Sequence, residues 1–241
     1  MIVPYLGEKS KFAKFIIPYI PANIKTYIEP FSGMYGIFFS LDFSDFNNTQ
    51  FIYNDINYLN YNLFNQLKNN DRLIEQIKEI KVDYELYKKS LSNLFKEKDD
   101  SKLSIDWLIV LCCSSPYEVG RDAWRNDSEF EVFKLKYKYY KENIDKISYI
   151  HNYDYKRVIT EYDSDNSFFY VDPPYKGREN FYINHNFNIN SHIELAEFLN
   201  NIKGKFLLSY YYFDGIEDLY KGCDFISKKT IMGTEYLIKN Y

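Results

Sequence analysis

The tetrapeptide Asp172-Pro173-Pro174-Tyr175 combines residue types that can hold an amine for chemistry. It follows the apolar run 168–171, which reads as a strand, so the carboxylate sits at a strand end. Two prolines fix the backbone and remove two amide donors, leaving the Asp172 carboxylate and the backbone carbonyls facing outward as acceptors. A planar amino group suits such a site. The exocyclic amine of adenine is a poor nucleophile because its lone pair is delocalised into the ring. Asp172 and the Pro173 carbonyl can accept its two hydrogens, favour a pyramidal nitrogen and aim the lone pair at an electrophilic methyl. The Tyr175 ring offers a face for a base turned out of its stack. Taken alone, the tetrapeptide also reads as a rigid turn after a strand.

Two further strand ends supply candidate ligands. Residues 26–29 form a β-rich run that ends in Glu29-Pro30-Phe31-Ser32-Gly33, a glycine-bearing loop of the kind that binds nucleotide-like ligands at the carboxyl end of an α/β sheet. Residues 50–53 form a second run ending at Asn54-Asp55, where an acidic side chain can accept hydrogen bonds from ribose hydroxyls. Asp55 reads equally well as a cap for the helix that follows.

The elements that must position these groups follow from hydrophobic periodicity. After the first strand the apolar stretch 36–39 is expected to be helical, and a second helical pattern starts at Leu59 and Leu63. Leu63, Leu67, Leu73, Ile77, Leu86, Leu91, Leu94 and Phe95 recur at helical spacing among charges. The run 103–113 is apolar and buried, 114–131 reads as a functional loop, and helical spacing resumes over 133–144. Strand-like runs return at 147–150, 168–171, 205–209, 223–226 and 236–238, with a helix over 192–199. Strands alternating with helices at both ends of a helical middle predict an α/β, Rossmann-like sheet domain formed by 1–61 and 146–241, interrupted by a mostly helical insertion over 62–145.

Composition narrows the classes. A 241-residue chain that is 46% hydrophobic and 27% charged can bury one sizeable core. No apolar run reaches the ~18–20 residues of a membrane span and no secretory leader is visible, so a cytoplasmic protein is expected. Cys112, Cys113 and Cys223 form no CxxC pair and the three histidines lack ligand spacing, so neither disulfide nor metal is expected. A net charge of −4 argues against nonspecific coating of nucleic acid and requires any basic face to be local.

Taken together, these segments resemble the Dam-like, D12-class family of adenine-specific DNA methyltransferases nearly end to end. Tyr5-Leu6-Gly7-Glu8-Lys9 resembles the family's N-terminal aromatic-x-Gly-Gly-Lys element, and residues 27–33 resemble its cofactor loop. Asn54-Asp55-Ile56-Asn57 is similar to the ribose-binding acidic element, Asn152-Tyr153-Asp154-Tyr155 to the pair beside the cofactor adenine, and Asp172 to Tyr175 to the catalytic tetrapeptide. Residues 207–210 resemble the late strand and 235–241 the usual chain end. The resemblance implies S-adenosylmethionine as cofactor, S-adenosylhomocysteine as product and N6 of a flipped adenine in double-stranded DNA as target.

It also implies a cofactor site of Tyr5, Lys9, Pro30, Phe31, Ser32, Gly33, Asp55, Ile56, Asp154, Tyr155 and Asp172, and catalysis by Asp172, Pro173, Pro174 and Tyr175. The insertion takes the place of the family's DNA reader, with Arg121, Arg125, Asn126, Lys134, Lys136 and Lys138 as the expected contacts. Pairing of Arg121 and Arg125 with neighbouring acids is the alternative for that loop. A cognate restriction enzyme is a partner the family admits. Two departures stand out. Glu8 replaces the second glycine of the N-terminal element, and Tyr35 occupies a position where a small residue is usual. Tyr35 is therefore expected at the pocket rim, limiting cofactor affinity through bulk. Methyl transfer to RNA or a protein amide, and a DNA-binding relative with a weakened pocket, remain alternative readings.

Overall fold

The computed structural model describes residues 3, 5, 7, 9–115, 122–177, 187–230 and 233–241. Its centre is a seven-stranded sheet: β1 (Thr26–Glu29), β2 (Gln50–Asn54), β3 (Ile147–His151), β4 (Ser167–Val171), β5 (Lys205–Tyr211), β6 (Asp224–Thr230) and β7 (Gly233–Lys239). The spatial order is β3-β2-β1-β4-β5-β7-β6. The first five strands in that order run parallel, and β7 is inserted antiparallel between β5 and β6. From β1 the chain winds outward through β2 to β3, then returns to the other side for β4 and β5. This reversal between β1 and β4 is the switch point at which doubly wound sheets leave a crevice beyond their strand ends. The fold is a Rossmann-like, doubly wound α/β sheet.

Strand alternation divides the core in two. Tyr27, Phe51 and Phe168 point to one face, with ring centroids 5.8 Å apart for each pair made by Tyr27. Ile28, Ile52 and Phe169 point to the other. Both faces are covered, which is why β4 is buried at every position and reads as a continuous apolar run.

The first face is covered by the central helices: α2 (Tyr58–Asn69), α3 (Leu73–Glu79), α4 (Tyr84–Asn93), α5 (Asp100–Cys113) and α6 (Ser128–Ile144), together with the short α1 (Ala13–Ile16). Leu63, Leu67, Trp107, Leu108, Phe130 and Phe133 join Tyr27, Tyr53 and Phe168 in one continuous core. The insertion is thus built onto the sheet. Its apolar run 103–113 is the helix α5, and helix α6 begins at Ser128, inside the stretch read as loop. The opposite face carries α7 (Tyr155–Tyr162), α8 (Ile189–Leu199) and α9 (Ile216–Leu219).

One local expectation is corrected. The stretch 36–39 does not form an α-helix after β1. The chain makes two 3₁₀ turns, Phe38–Ser40 and Phe43–Phe46. Ser40 Oγ donates back to the Gly36 carbonyl, and Asp42 accepts from the Ser44 amide. Such local bonds compete with an extended helix. No helix among the described residues is long and apolar enough to cross a membrane.

Candidate active site

The crevice at the switch point is shaped by hydrogen bonds between the loops that leave β1, β2 and β3. Asn54, wholly buried, donates to the Pro30 carbonyl at 2.9 Å and to the Tyr153 carbonyl at 3.0 Å, and accepts from the Tyr153 amide. Ser32 Oγ donates to the Glu29 carbonyl and accepts from the Asn54 amide. Asn152 donates to the carbonyls of Asp55 and Ile56. One asparagine thus locks three strand ends together before any ligand arrives.

These loops enclose a cavity of about 280 Å³. Tyr5, Lys9, Pro30, Phe31, Ser32, Gly33, Asp55, Ile56, Asp154, Tyr155 and Asp172 all line it, as does Pro174. Gly33 has φ +49°, and a Cβ there would lie 3.2 Å from the Tyr5 ring. Glycine is favoured both by the left-handed backbone and by the close approach. Asp55 Oδ2 accepts from the Gly33 amide at 2.7 Å and from Asn60 at 3.3 Å, while Oδ1 accepts from the Asn57 amide at 2.7 Å. The carboxylate is not the cap of α2; it braces the loop after β1 and the residues before α2, and it lines the cavity. The helix cap itself is Asn57, which accepts from the Leu59 amide. Asp154 caps α7. The neighbouring Tyr155 ring lies 5.2 Å from Phe31, and its buried hydroxyl has no partner among the described residues.

Across the crevice Lys9 Nζ lies 2.9 Å from Asp172 Oδ1, 3.9 Å from Glu235 Oε1 and 4.7 Å from the centre of the Tyr175 ring. Burial alone would push the Lys9 ammonium down, but Asp172 and Glu235 more than reverse this, and its pKa is raised. Burial pushes the Glu235 carboxyl up, with Lys9 opposing. Glu29, also on the cavity wall, accepts from the Tyr27 hydroxyl at 2.7 Å and the Phe38 amide at 3.2 Å. Burial drives its carboxyl well above the ordinary range; the Tyr27 bond opposes this and nearby Asp172 adds to it.

Two expectations about tyrosines are corrected. Tyr175 does not present an open ring to the cavity. It is 7% exposed, stacks on Tyr210 at 5.3 Å, meets Tyr211 edge-on at 4.8 Å and donates to Glu235 at 2.8 Å. Pro173 is buried and does not line the cavity. Tyr35 is not at the rim either. It has φ +57°, yet its side chain is fully buried, stacked on Phe38 at 4.3 Å with its hydroxyl donating to the Ile52 carbonyl. The left-handed backbone turns this ring under the loop into the core. Glu8 lies outside the described residues.

The expected DNA contacts divide. Arg121 lies outside the described residues. Arg125 is exposed, with Nη2 3.7 Å from Glu129, and Asn126 accepts from the Ser128 amide and hydroxyl at the start of α6. Lys134 is corrected: its ammonium donates to the Ile80 carbonyl at 2.9 Å and to Glu131 at 2.8 Å, fastening α6 to the turn after α3. Lys136 and Lys138 are exposed on α6, beside Leu135, which is 86% exposed, and Tyr139.

Several groups escaped the sequence reading of the site. Glu29 was visible only as part of its loop, and Asn54 only as a strand terminator. Glu235 meets Lys9 from the opposite end of the chain, so no local spacing could signal it. Lys156 and Glu194, paired at 2.7 Å on the cavity rim, come from α7 and α8 and likewise share no local motif.

A family model described as D12 class N6 adenine-specific DNA methyltransferase matches residues 5–234. No curated protein matches the chain. Among solved structures, the chain is similar to the rRNA methyltransferase aviRa from Streptomyces viridochromogenes at 11% identity and a TM-score of 0.42, covering 95% of this chain and 83% of that one.

Proposed function

We propose how this chain, which belongs to the D12 class N6 adenine-specific DNA methyltransferase family, divides its reaction among its residues. The observation that carries the reading is that the acidic strand-end loops and the Asp172 carboxylate open into one cavity. We assign that cavity to S-adenosylmethionine. The residues fit it in three ways. Gly33 gives a close-approach surface, Asp55 gives an acceptor for ribose hydroxyls, and Glu29 and Asp172 place two carboxylates around a site that must hold a sulfonium cation. Phe31, Ile56 and Tyr155 supply apolar surface for the adenine ring, with Asp154 beside them. When bound, the cofactor supplies an electrophilic methyl.

The protein's own work is positioning and electrostatics. Asp172 and the Pro173 carbonyl accept the hydrogens of the target N6 amine, and Pro174 keeps that backbone free of a competing donor. Tyr175, stacked on Tyr210 and bonded to Glu235, braces the end of the tetrapeptide while Asp172 meets a base flipped from double-stranded DNA. The insertion reads the DNA, with Lys136 and Lys138 as phosphate contacts and Arg125 with Asn126 as base contacts once the Glu129 and Ser128 partners yield. On this reading the chain works in the cytoplasm, where its DNA is, and a cognate restriction enzyme would cut the same sequence. No metal enters the reaction so described.

Asp55→Ala tests the cofactor assignment. Calorimetry should show S-adenosylmethionine affinity falling about 10- to 100-fold, as befits loss of charged hydrogen bonds worth about 1.5–3 kcal/mol. DNA affinity should stay within about twofold. Unchanged cofactor affinity would return Asp55 to a purely structural role in the loop.

A further inference from the structure

We propose that Glu235 is a positioning residue for methyl transfer: from the antiparallel strand β7 it holds the Lys9 ammonium against Asp172 and so fixes the carboxylate that orients the target amine. The inference rests on the assignment of Asp172 above.

Three distances carry it. Lys9 Nζ is 2.9 Å from Asp172 and 3.9 Å from Glu235, and the same Glu235 oxygen accepts the Tyr175 hydroxyl at 2.8 Å. Glu235 is 2% exposed and Lys9 7%. A carboxylate buried to that degree is costly unless it is paired. Here its charge is shared with an ammonium that itself touches the catalytic carboxylate. Glu235 therefore contacts both ends of the tetrapeptide, Asp172 through Lys9 and Tyr175 directly. Removing its charge leaves Asp172 as the one carboxylate on Lys9, whose ammonium otherwise donates to the Gly7 carbonyl at 3.0 Å, so the ammonium and Asp172 can shift together, and a displacement of about 1 Å can cost about a hundredfold in rate.

Among the described residues, groups from five segments face Glu235, Tyr170 of β4 among them. Lys9 arrives from the N-terminal segment, Asp172 and Tyr175 from the loop after β4, Tyr211 from β5 and Lys228 from β6; the last two are its partners in the β-ladder. Lys228 also lies 4.9 Å from the Phe15 ring centre.

Two substitutions separate a charge role from a structural one. Glu235→Gln keeps the size and the acceptor for Tyr175 but removes the charge, whereas Glu235→Asp keeps the charge and shortens the arm. The proposal expects E235Q to lower kcat on DNA by about 10- to 100-fold, with KM for DNA and for S-adenosylmethionine within about threefold of the parent and S-adenosylmethionine still raising the melting temperature. E235D should recover part of that loss. If Glu235 were only a packing and hydrogen-bonding group, E235Q would be the milder change, so E235Q at or above the E235D rate overturns the proposal. Should E235Q fail to fold, the pair Lys9→Met and Lys9→Met/Glu235→Gln decides. Equal kcat in the two supports action through Lys9, and a further loss in the double variant contradicts it. A parent enzyme unable to methylate DNA would instead sink the functional assignment, and is distinguished by being measured first.

Discussion

At the scale of single residues, burial explains both what the site can do and what it cannot. Tyr35 looked like an obstacle to the cofactor because its neighbours in sequence line the cavity, yet its left-handed φ turns the ring inward. That conformation costs about 1–2 kcal/mol, which the buried ring outweighs. Tyr35→Gly should therefore destabilise the protein by about 1–4 kcal/mol, the loss of a buried aromatic less the relieved strain, and should not tighten cofactor binding. Chemical denaturation beside calorimetry reads both quantities. A more stable or tighter-binding variant would return Tyr35 to the rim. Glu29 makes a second residue-scale prediction. Its raised pKa means the free folded protein keeps a proton there at a pH where an exposed glutamate has lost it. A bound cation favours the ionised form, so S-adenosylmethionine should bind with proton release, and more tightly as pH rises toward that raised pKa. S-adenosylhomocysteine lacks the positive sulfur and should release less. Calorimetry of both ligands in buffers of different ionisation enthalpy measures the difference, which Glu29→Gln should erase.

At the scale of elements, the sequence exposed the parts whose cause is local. Strands β1, β2 and β4 were legible because both faces are buried and their apolar runs stop at loop-forming residues. The cavity residues were legible through those same strand ends, with the family resemblance supplying their roles. The 3₁₀ turns after β1 were not legible, because Ser40 and Asp42 redirect a stretch whose composition is apolar enough for a helix. Helix α5 could not be distinguished from a strand by periodicity, since it is buried nearly all round. Glu235 was legible only as part of the segment 235–241, because its contact with Lys9 exists only once the sheet is complete. Helix α6 separates its lysines the same way: Lys134 is tied to Ile80 and Glu131, whereas Lys136 and Lys138 are exposed. Lys136→Ala and Lys138→Ala should each weaken all DNA alike and reduce the slope of log K against log salt by roughly 0.9. Lys134→Ala should leave that slope unchanged and cost stability instead. Equal slopes across the three variants would remove α6 from the interface.

At the scale of the whole molecule, the central helices and the sheet share one core, so the insertion proposed to read DNA and the strand ends proposed to carry the chemistry are mechanically joined. Asn54 locks the loops after β1, β2 and β3 together, and β7 brings Glu235 within 3.9 Å of Lys9. A molecule so arranged should act on one atom of one polymer. The direct test is to supply S-adenosylmethionine with labelled methyl to the parent protein and to Asp172→Ala, with DNA, RNA and protein present together, and to separate the hydrolysed products. The account predicts label in N6-methyladenine from DNA for the parent, and a loss of at least about 10²–10³-fold for Asp172→Ala with its fold and cofactor-induced thermal stabilisation retained. Label chiefly in RNA, protein or another base, or substantial turnover by Asp172→Ala, would contradict it.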